Sequence, residues 1–234
     1  MGNYYIVTMT NGINKGHLVT AHQQFLEEML LDTQQSLSFA REYEGKYGHG
    51  IGNIFPYDLV EAIIEPYGLI LQEGSKVLAV DPAYGSSKFG ILGCEQRDGI
   101  IYVMECMQYE RPSPSAMLEI IKIIGQKYKI VLVDSAHPGL VLDLNQLGIQ
   151  AIPVVFQKEL SEMTITAAQT VREKKCRIHP TFHDLINQLK AVRLNEKGHP
   201  DKKELSFDLG DCFLMACNYF RRGVFGGRML KTSF

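Results

Sequence analysis

The strongest pattern in the chain is a series of short apolar runs, bounded by turn residues, that begins after Gly74. Three of them have strand character and lie at 77–80, 89–95 and 100–109. A glycine- and serine-rich turn joins the first to the second, and Asp98-Gly99 is a hairpin signal between the second and the third. Because short turns join strands of opposite direction, the three runs predict an antiparallel meander.

Helical periodicity alternates with strand-like runs over the rest of the chain. Two further strand-like runs lie at 130–133 and 149–155. Apolar residues recur with helical spacing in five stretches: 115–128, 140–147, 159–173, 181–192 and 209–220. Strands that are reached through helices pair in parallel. The order therefore predicts an α/β fold with a mixed sheet of five or more strands, three antiparallel and the others parallel, flanked by helices. This is the strand order of the ribonuclease H-like fold.

Composition divides the chain into three parts. Residues 1–70 have little strand character and are predicted to form a mainly helical lead-in segment, and residues 71–220 carry the mixed α/β pattern. Residues 221–234 are predicted to be a basic, flexible tail. With 45% hydrophobic and 21% charged residues, the chain has the composition of a globular protein with an ordinary core.

Nothing in the sequence indicates a membrane protein or a secreted one. No stretch approaches the roughly 18 consecutive apolar residues of a membrane span, and the start at Met1-Gly2-Asn3 lacks a basic-then-apolar leader. The five cysteines are odd in number and include no CxxC pair, so neither a disulfide framework nor a zinc knuckle is predicted. We therefore expect a protein of a reducing compartment that is not secreted.

Four carboxylates stand at informative places. Asp81 and Asp134 each end a strand-like run, and Asp208 and Asp211 open the last apolar helix. An acid at the C-terminal end of such a strand lies in the crevice where α/β sheets bind ligands. A single acid of this kind would be read as a turn or capping residue. Acids from three distant segments favour a divalent-metal site instead, because hard cations bind oxygen ligands.

The segments around these acids resemble a known family. Residues 78–83 (LAVDPA), 131–134 (VLVD) and 207–211 (FDLGD) follow one another as in the nuclease domain of the large terminase subunit, the DNA-packaging motor of tailed viruses. Three further segments are similar to that family: 37–43, 53–55 and 158–179. Phe207 stands where the family often has a His or another Asp. No GxxxxGK[ST] phosphate loop occurs, so the motor's ATPase half is not expected in this polypeptide.

The resemblance implies a metal-dependent endonuclease that cuts concatemeric viral DNA during genome packaging. Its cofactors would be two divalent ions, Mg²⁺ or Mn²⁺, about 3.5–4 Å apart. Asp81 is the candidate to bridge both ions, Asp134 to bind one, and Asp208 to be the third direct ligand. Asp211 is a ligand, a holder of water or a helix cap. The implied partners are double-stranded DNA, the terminase ATPase domain, the small terminase subunit and the portal, in the cytoplasm of the infected host cell.

The charge distribution favours a polyanionic partner for the C-terminal third. Residues 1–156 carry 10 basic and 17 acidic side chains, whereas residues 157–234 carry 14 basic and 9 acidic ones. A basic region beside an acid-lined site fits DNA held near a metal centre. The candidate phosphate contacts are Lys158, Lys174, Lys175, Arg177, Lys190, Arg193, Lys197, Lys202 and Lys203.

Two other functions remain open from the sequence. One is another ribonuclease H-like nuclease, such as a junction resolvase or a nuclease of RNA–DNA hybrids. The other is a nucleotide-binding module of the actin and sugar-kinase type, whose first strand also ends in an Asp before a Gly/Ser turn. That fold needs two such domains, and one copy of the pattern is present here. A scaffold protein with a decayed site is disfavoured by the intact Asp81, Asp134 and Asp208.

Overall fold

A mixed sheet of six strands forms the centre of the part of the chain that the structure describes. The computed structural model describes residues 53–82, 88–195, 199–202 and 206–225. Its strands are β1 Ser75–Asp81, β2 Phe89–Arg97, β3 Ile100–Tyr109, β4 Ile130–Asp134, β5 Ala151–Val154 and β6 Cys176–Arg177. They stand in the order β5-β4-β1-β2-β3-β6. β1, β2 and β3 pair antiparallel, while β4 pairs parallel with both β1 and β5. The predicted ribonuclease H-like arrangement of antiparallel and parallel strands is therefore confirmed.

β6 is the strand that the sequence pattern did not predict. It pairs parallel with β3 through Ile101 opposite Cys176 and Tyr102 opposite Arg177. The amide of Ile101 also donates to the carbonyl of Lys175 at 2.9 Å. Two residues are too few to show the period-2 alternation by which a strand is detected in sequence.

Six helices in the described residues surround the sheet. They are α1 Tyr57–Glu61, α2 Pro114–Gly125, α3 Pro138–Gln146, α4 Phe156–Arg172, α5 His183–Ala191 and α6 Asp208–Phe225. Local chemistry sets several of their ends. The Ser113 hydroxyl accepts the amide of Ala116 at 3.2 Å and Pro114 follows it, so α2 begins with a side-chain cap and a proline. Gly148, with φ of +77°, follows α3.

The helices cover both faces of the sheet, so the central strands are buried on each side. Residues 77–80 of β1 are fully buried, as expected for a central strand. Leu78 and Val80 belong to the apolar core that α2 and α3 close with Ile121 and Leu144. α6 packs against β1, β2 and β3, and α4 and α5 pack against α6. α6 is therefore held against the sheet on one side and by α4 and α5 on the other.

Residues 53–67 pack against the same core as the sheet. Ile54 and Phe55 are fully buried, and the ring of Phe55 lies 6.1 Å from that of Phe213 of α6 in an edge-to-face contact. Ile64 forms a parallel bridge with Ile178, next to β6. Residues 1–52 of the predicted lead-in segment, 1–70, lie outside the described residues, and the boundary at residue 70 stays a prediction.

The last helix continues beyond the predicted start of the basic tail at 221. α6 ends at Phe225, and residues 226–234 lie outside the described part. Arg222 donates to Glu159 at 2.7 Å and to Glu162 at 2.8 Å, and Arg221 donates to Gln169. These contacts to α4 stabilise the final turns of α6. Among the helices that the structure describes, none has both the length and the apolar character needed to cross a membrane.

Candidate active site

Two strand ends bring the first pair of acids together. β1 and β4 are parallel neighbours, with Val80 opposite Val133. Asp81 and Asp134 are the next residues on the two strands and the last of each. Because parallel strands end at the same edge of a sheet, both carboxylates lie at the edge where α/β folds bind ligands.

A glycine on β2 lets the second pair of acids approach the first. Gly90 pairs with Asp81 across the β1–β2 ladder. A Cβ atom placed on Gly90 would lie 3.0 Å from the backbone carbonyl of Asp208 and 3.3 Å from its Cβ. The missing side chain allows the first turn of α6 to lie directly on β2, beside Asp81. Asp211 follows one turn later on the same face of the helix.

All four predicted acids line one cavity of about 560 Å³. The lining residues are Asp81, Asp134, Phe156, Gln157, Leu160, His199, Lys202, Asp208 and Asp211. Asp208 and Asp211 are 6% and 5% exposed, which is unusual for carboxylates that share a site. The acids that the sequence singled out from three distant segments therefore converge in space.

Burial and mutual repulsion perturb these acids. Burial raises the pKa of Asp81 well above its usual range, and the charges of Asp211 and Asp208 raise it further, against the opposing charge of Lys202. Burial likewise raises the pKa of Asp211 to about 6, although Lys202 lowers it. The site therefore holds more negative charge than its surroundings stabilise, and it favours a proton or a cation.

The hydrogen bonds of the cavity engage some carboxylate oxygens and leave another without a donor. Lys202 Nζ donates to Asp211 Oδ2, and the amide of Ala136 donates to Asp134 Oδ1 at 3.0 Å. Asp208 Oδ2 accepts from Ser206 Oγ and, at 3.0 Å, from Gln108 Nε2. Asp211 Oδ1 is buried and accepts no hydrogen bond from the described residues.

The donor set fits a hard divalent cation. Carboxylate oxygens are the ligands that Mg²⁺ and Mn²⁺ prefer, and a buried carboxylate oxygen without a donor is a position that a cation would stabilise. As the side chains stand, however, no three His, Cys, Asp or Glu residues of the described ranges are close enough together to hold a metal ion. The ammonium of Lys202 forms an ion pair with Asp211. A cation that binds Asp211 would therefore have to share this carboxylate with Lys202 or displace the ammonium.

The structure separates the predicted phosphate-contacting residues. Lys202 is in the cavity, whereas Lys197 and Lys203 lie outside the described residues. Three of the others are paired with carboxylates: Lys175 with Glu173 at 2.5 Å, Arg177 with Glu65 at 2.8 Å, and Lys190 with Glu61. Within the described part of the chain, Lys158, Lys174 and Arg193 form no ion pair. Apart from Lys202, none of the described candidates lines the acid cavity.

Two residues at or next to the cavity could not be recognised from the sequence. Gln108 lies opposite Gly90 on β3 and so shares a row with Asp81 across three strands. His199 lines the cavity, and its Nε2 lies 2.9 Å from Ser161 Oγ of α4. Neither residue follows a strand-end acid or belongs to a recognised motif. Gln108 lies opposite Gly90 only because a β-bulge at Gly93/Cys94 shifts by one residue the register that the turn at Asp98-Gly99 sets, so the sequence carries no signal for this position.

Comparison with solved structures identifies the fold. The P22 large terminase nuclease domain matches with a TM-score of 0.57 and 14% identity, over 75% of this chain and 94% of that one. The large terminase nuclease of the thermophilic phage G20c with bound magnesium matches with a TM-score of 0.53 and 13% identity, over 72% and 97%. This chain has the fold of a large terminase nuclease domain. The resemblance predicted from the sequence motifs is thus confirmed as a likeness of fold.

A longer large terminase chain matches over only part of its length. This large terminase, from another thermophilic bacteriophage, matches with a TM-score of 0.57 and 17% identity, over 75% of this chain but only 45% of that one. The chain therefore spans about half the length of that relative. No protein-family model matches the chain, and no curated protein matches its sequence.

Proposed function

We propose that this chain is a metal-dependent DNA endonuclease of the terminase type, which cuts concatemeric viral DNA during genome packaging. The observation that carries the proposal is the convergence of Asp81, Asp134, Asp208 and Asp211 on one cavity. The fold supports it, because nuclease domains of large terminases have the same arrangement of strands and helices.

The carboxylates are the residues that would hold divalent cations, Mg²⁺ or Mn²⁺. Asp81 lies between its partner on β4 and the first turn of α6, so it is the candidate to contact two ions, with Asp134 on one side and Asp208 on the other. When bound, such ions supply an activated water molecule and neutralise the charge of the leaving oxygen in phosphodiester hydrolysis.

The protein's own groups prepare the site for a cation. The raised pKa values of Asp81 and Asp211 record uncompensated negative charge, which makes cation binding favourable and makes acid conditions unfavourable for it. Lys202 partly neutralises Asp211, and its ammonium also lies 5.5 Å from the centre of the Phe156 ring. The side chains of Phe156 and Leu160 add apolar groups to the lining of the cavity.

Double-stranded DNA is the proposed substrate. We propose that the basic residues without a described carboxylate partner contact its phosphates. Lys158, Lys174 and Arg193 keep their charges available for phosphates in the described part of the chain, and we include Lys197 and Lys203 from the sequence. The paired residues Lys175, Arg177 and Lys190 would have to exchange a carboxylate for a phosphate. The terminase ATPase domain, the small subunit and the portal are the proposed partners, in the cytoplasm of the infected host.

Cleavage of supercoiled plasmid tests the proposal. The protein is incubated with plasmid in Mg²⁺, Mn²⁺ or EDTA, beside an RNA–DNA hybrid of similar length. Nicking and linearisation of the plasmid with either metal, and none in EDTA, are expected. Cutting that persists in EDTA, or its absence with both metals, would contradict the proposal, and preference for the hybrid would favour the alternative nuclease.

Matched substitutions locate the activity. Asp81→Asn is expected to reduce cleavage by about 10³-fold or more, since it removes a carboxylate that would hold the divalent ions. Asp143→Asn is the control, because Asp143 is an exposed acid on α3 outside the cavity. Equal activity of the two variants would place the cleavage site elsewhere.

A further inference from the structure

Two glutamines connect the interior of the protein to the carboxylate of Asp208. Gln188, on α5, accepts the amide of Gly210 at 3.0 Å through its Oε1 and donates through Nε2 to Gln108 Oε1 at 3.3 Å. Gln108, near the end of β3, donates through Nε2 to Asp208 Oδ2 at 3.0 Å. The same Nε2 donates to Ser206 Oγ at 3.0 Å. The result is a continuous hydrogen-bonded path from α5 through β3 to the acid cavity.

The direction of this path is fixed by its first member. A backbone N–H can only donate, so the Gly210 amide requires an oxygen of Gln188 and turns the NH₂ group of Gln188 towards Gln108. Gln108 must then present its own oxygen to Gln188, which turns its NH₂ group towards Asp208. An amide side chain has two distinct ends, and here each end is assigned by its neighbour.

The path is buried where it begins and reaches the acid where it ends. Gln188 is 6% exposed, so its amide depends on these protein partners for its hydrogen bonds. Gln108 stands in the row Asp81–Gly90–Gln108 across β1, β2 and β3. Because Gly90 has no side chain, the backbone of Asp208 lies over the middle of that row, with Asp81 on one side and Gln108 on the other.

We propose that Gln108 and Gln188 are positioning residues that set the orientation of Asp208 for cation binding. The inference rests on the proposed function and deepens it. The hydrogen bonds that described residues make to the Asp208 carboxylate all go to Oδ2, from Gln108 and from Ser206, which reserves Oδ1 for a ligand in the cavity. Hydrogen-bond donors that orient a metal-binding carboxylate typically change metal affinity by 10- to 100-fold.

Mn²⁺ binding to the whole chain, measured by titration calorimetry, tests the proposal. Gln108→Met and Gln188→Met keep the length of each side chain and remove its hydrogen bonds. Both are expected to weaken Mn²⁺ binding, by about 10- to 100-fold. Gln96→Met is the matched control, because Gln96 is a half-buried glutamine on β2 that does not line the acid cavity. Its Mn²⁺ affinity is expected to equal that of the wild type.

Coupling to Asp208 separates positioning from a merely structural role. In an Asp208→Asn background, Gln108→Met and Gln188→Met are expected to cause no further loss of Mn²⁺ affinity, since the group that they orient is already altered. The thermal midpoint of each variant in EDTA is measured in parallel. A lower midpoint with unchanged Mn²⁺ affinity would overturn the proposal and leave the glutamines as packing residues.

The outcomes separate this proposal from the one before it. If the wild type binds Mn²⁺ and both glutamine variants bind it equally well, the positioning role is overturned while the metal-dependent nuclease stands. If the wild type does not bind Mn²⁺, both proposals fall. If Gln188→Met does not fold, Gln108→Met, at the half-buried end of β3, tests the proposal alone. Its Mn²⁺ affinity is then measured with and without Asp208→Asn.

Discussion

Glu95 and Asp81 are carboxylates on one hairpin, and the protein treats them in opposite ways. Glu95, on β2, is completely buried and accepts the amides of Gln72 and Gly74 at 2.9 Å and the side chain of Arg97 at 3.1 Å. The carboxylate of Asp81, at the far end of β1, accepts no hydrogen bond from the described residues. The negative charges that act on it include those of Asp208 and Asp211.

The difference shows how a structural acid is told from a functional one. A buried carboxylate with a full set of donors has exchanged water for protein and contributes to a unique fold. A buried carboxylate among like charges raises the free energy of the folded state and is stabilised by whatever cation can enter. Both side chains are carboxylates with restricted access to solvent, Glu95 fully buried and Asp81 half-buried, and the surrounding hydrogen-bond donors distinguish them most clearly.

The largest effect is expected from removing Glu95, the structural acid. Glu95→Ala leaves the Arg97 guanidinium and two backbone amides without their acceptor, so the free energy of unfolding should fall by about 3–5 kcal/mol. Urea denaturation in EDTA measures it. Glu119→Ala, at an exposed acid of α2 paired with Lys122, is the control and should change stability by less than about 0.5 kcal/mol. Similar losses for both variants would refute the structural assignment of Glu95.

The next largest effect is expected from a substitution that moves Asp208 and Asp211 away from Asp81. Gly90→Ala places a Cβ atom 3.0 Å from the Asp208 backbone, so α6 must shift and the protein should lose about 1–3 kcal/mol of stability. Gly139→Ala is the matched control, because a Cβ atom there meets nothing within 4 Å. The control should be neutral or stabilising. Thermal unfolding and plasmid cleavage of both variants would show whether the gap at Gly90 serves the site.

A smaller effect is expected on the pH dependence of stability, through Asp81. Its folded pKa is raised above 3.8, so the protonated form stabilises the folded state, and that contribution is lost as pH rises through the folded value. In EDTA, Asp81→Asn should therefore be more stable than wild type at pH 8, by on the order of 1 kcal/mol. The advantage should shrink at pH 5. A variant that is less stable than wild type at pH 8 would make Asp81 structural, like Glu95.

The smallest effect concerns Lys202, a cation that already faces the acids. Lys202→Met removes the ion pair with Asp211 and leaves that carboxylate with less compensation, so its pKa should rise above about 6. Because the Lys202 side chain is 39% exposed, the expected loss of stability at pH 8 is about 1 kcal/mol or less. Lys122→Met, at an exposed pair, is the control. The difference between pH 8 and pH 5 should exceed that of the control if Asp211 is involved.

Hydrophobic periodicity predicted the sheet because most of its strands are long enough to show a pattern. The run 100–109 matches β3 in full, and the hairpin signal at Asp98-Gly99 lies in the turn between β2 and β3. Hydrophobic periodicity did not reveal β6, which has only two residues. It also did not reveal the end of the last helix, where Arg221 and Arg222 contact partners on α4. Those partners are more than 50 residues away in the chain and leave no local trace.

The candidate site was predictable only as far as its acids. Asp81 and Asp134 follow buried strands, and Asp208 and Asp211 open a helix, so their positions carry a signal. Gln108 and Gln188 have no such signal, because their role depends on contacts that span 80 and 100 residues. The structural contrast between Glu95 and Asp81 is equally invisible in sequence, since it depends on which backbone amides surround each acid.

The position of α6 has a consequence for biosynthesis. Asp81 and Asp134 lie in strands that leave the ribosome well before α6, which carries Asp208 and Asp211 and packs across β1, β2 and β3. A nascent chain that stops before α6 therefore has half of these acids and an incompletely covered sheet. Domains fold as units during synthesis, so we expect no complete acid cavity in a partial translation product. The core and the acid cavity are both incomplete until α6 is in place.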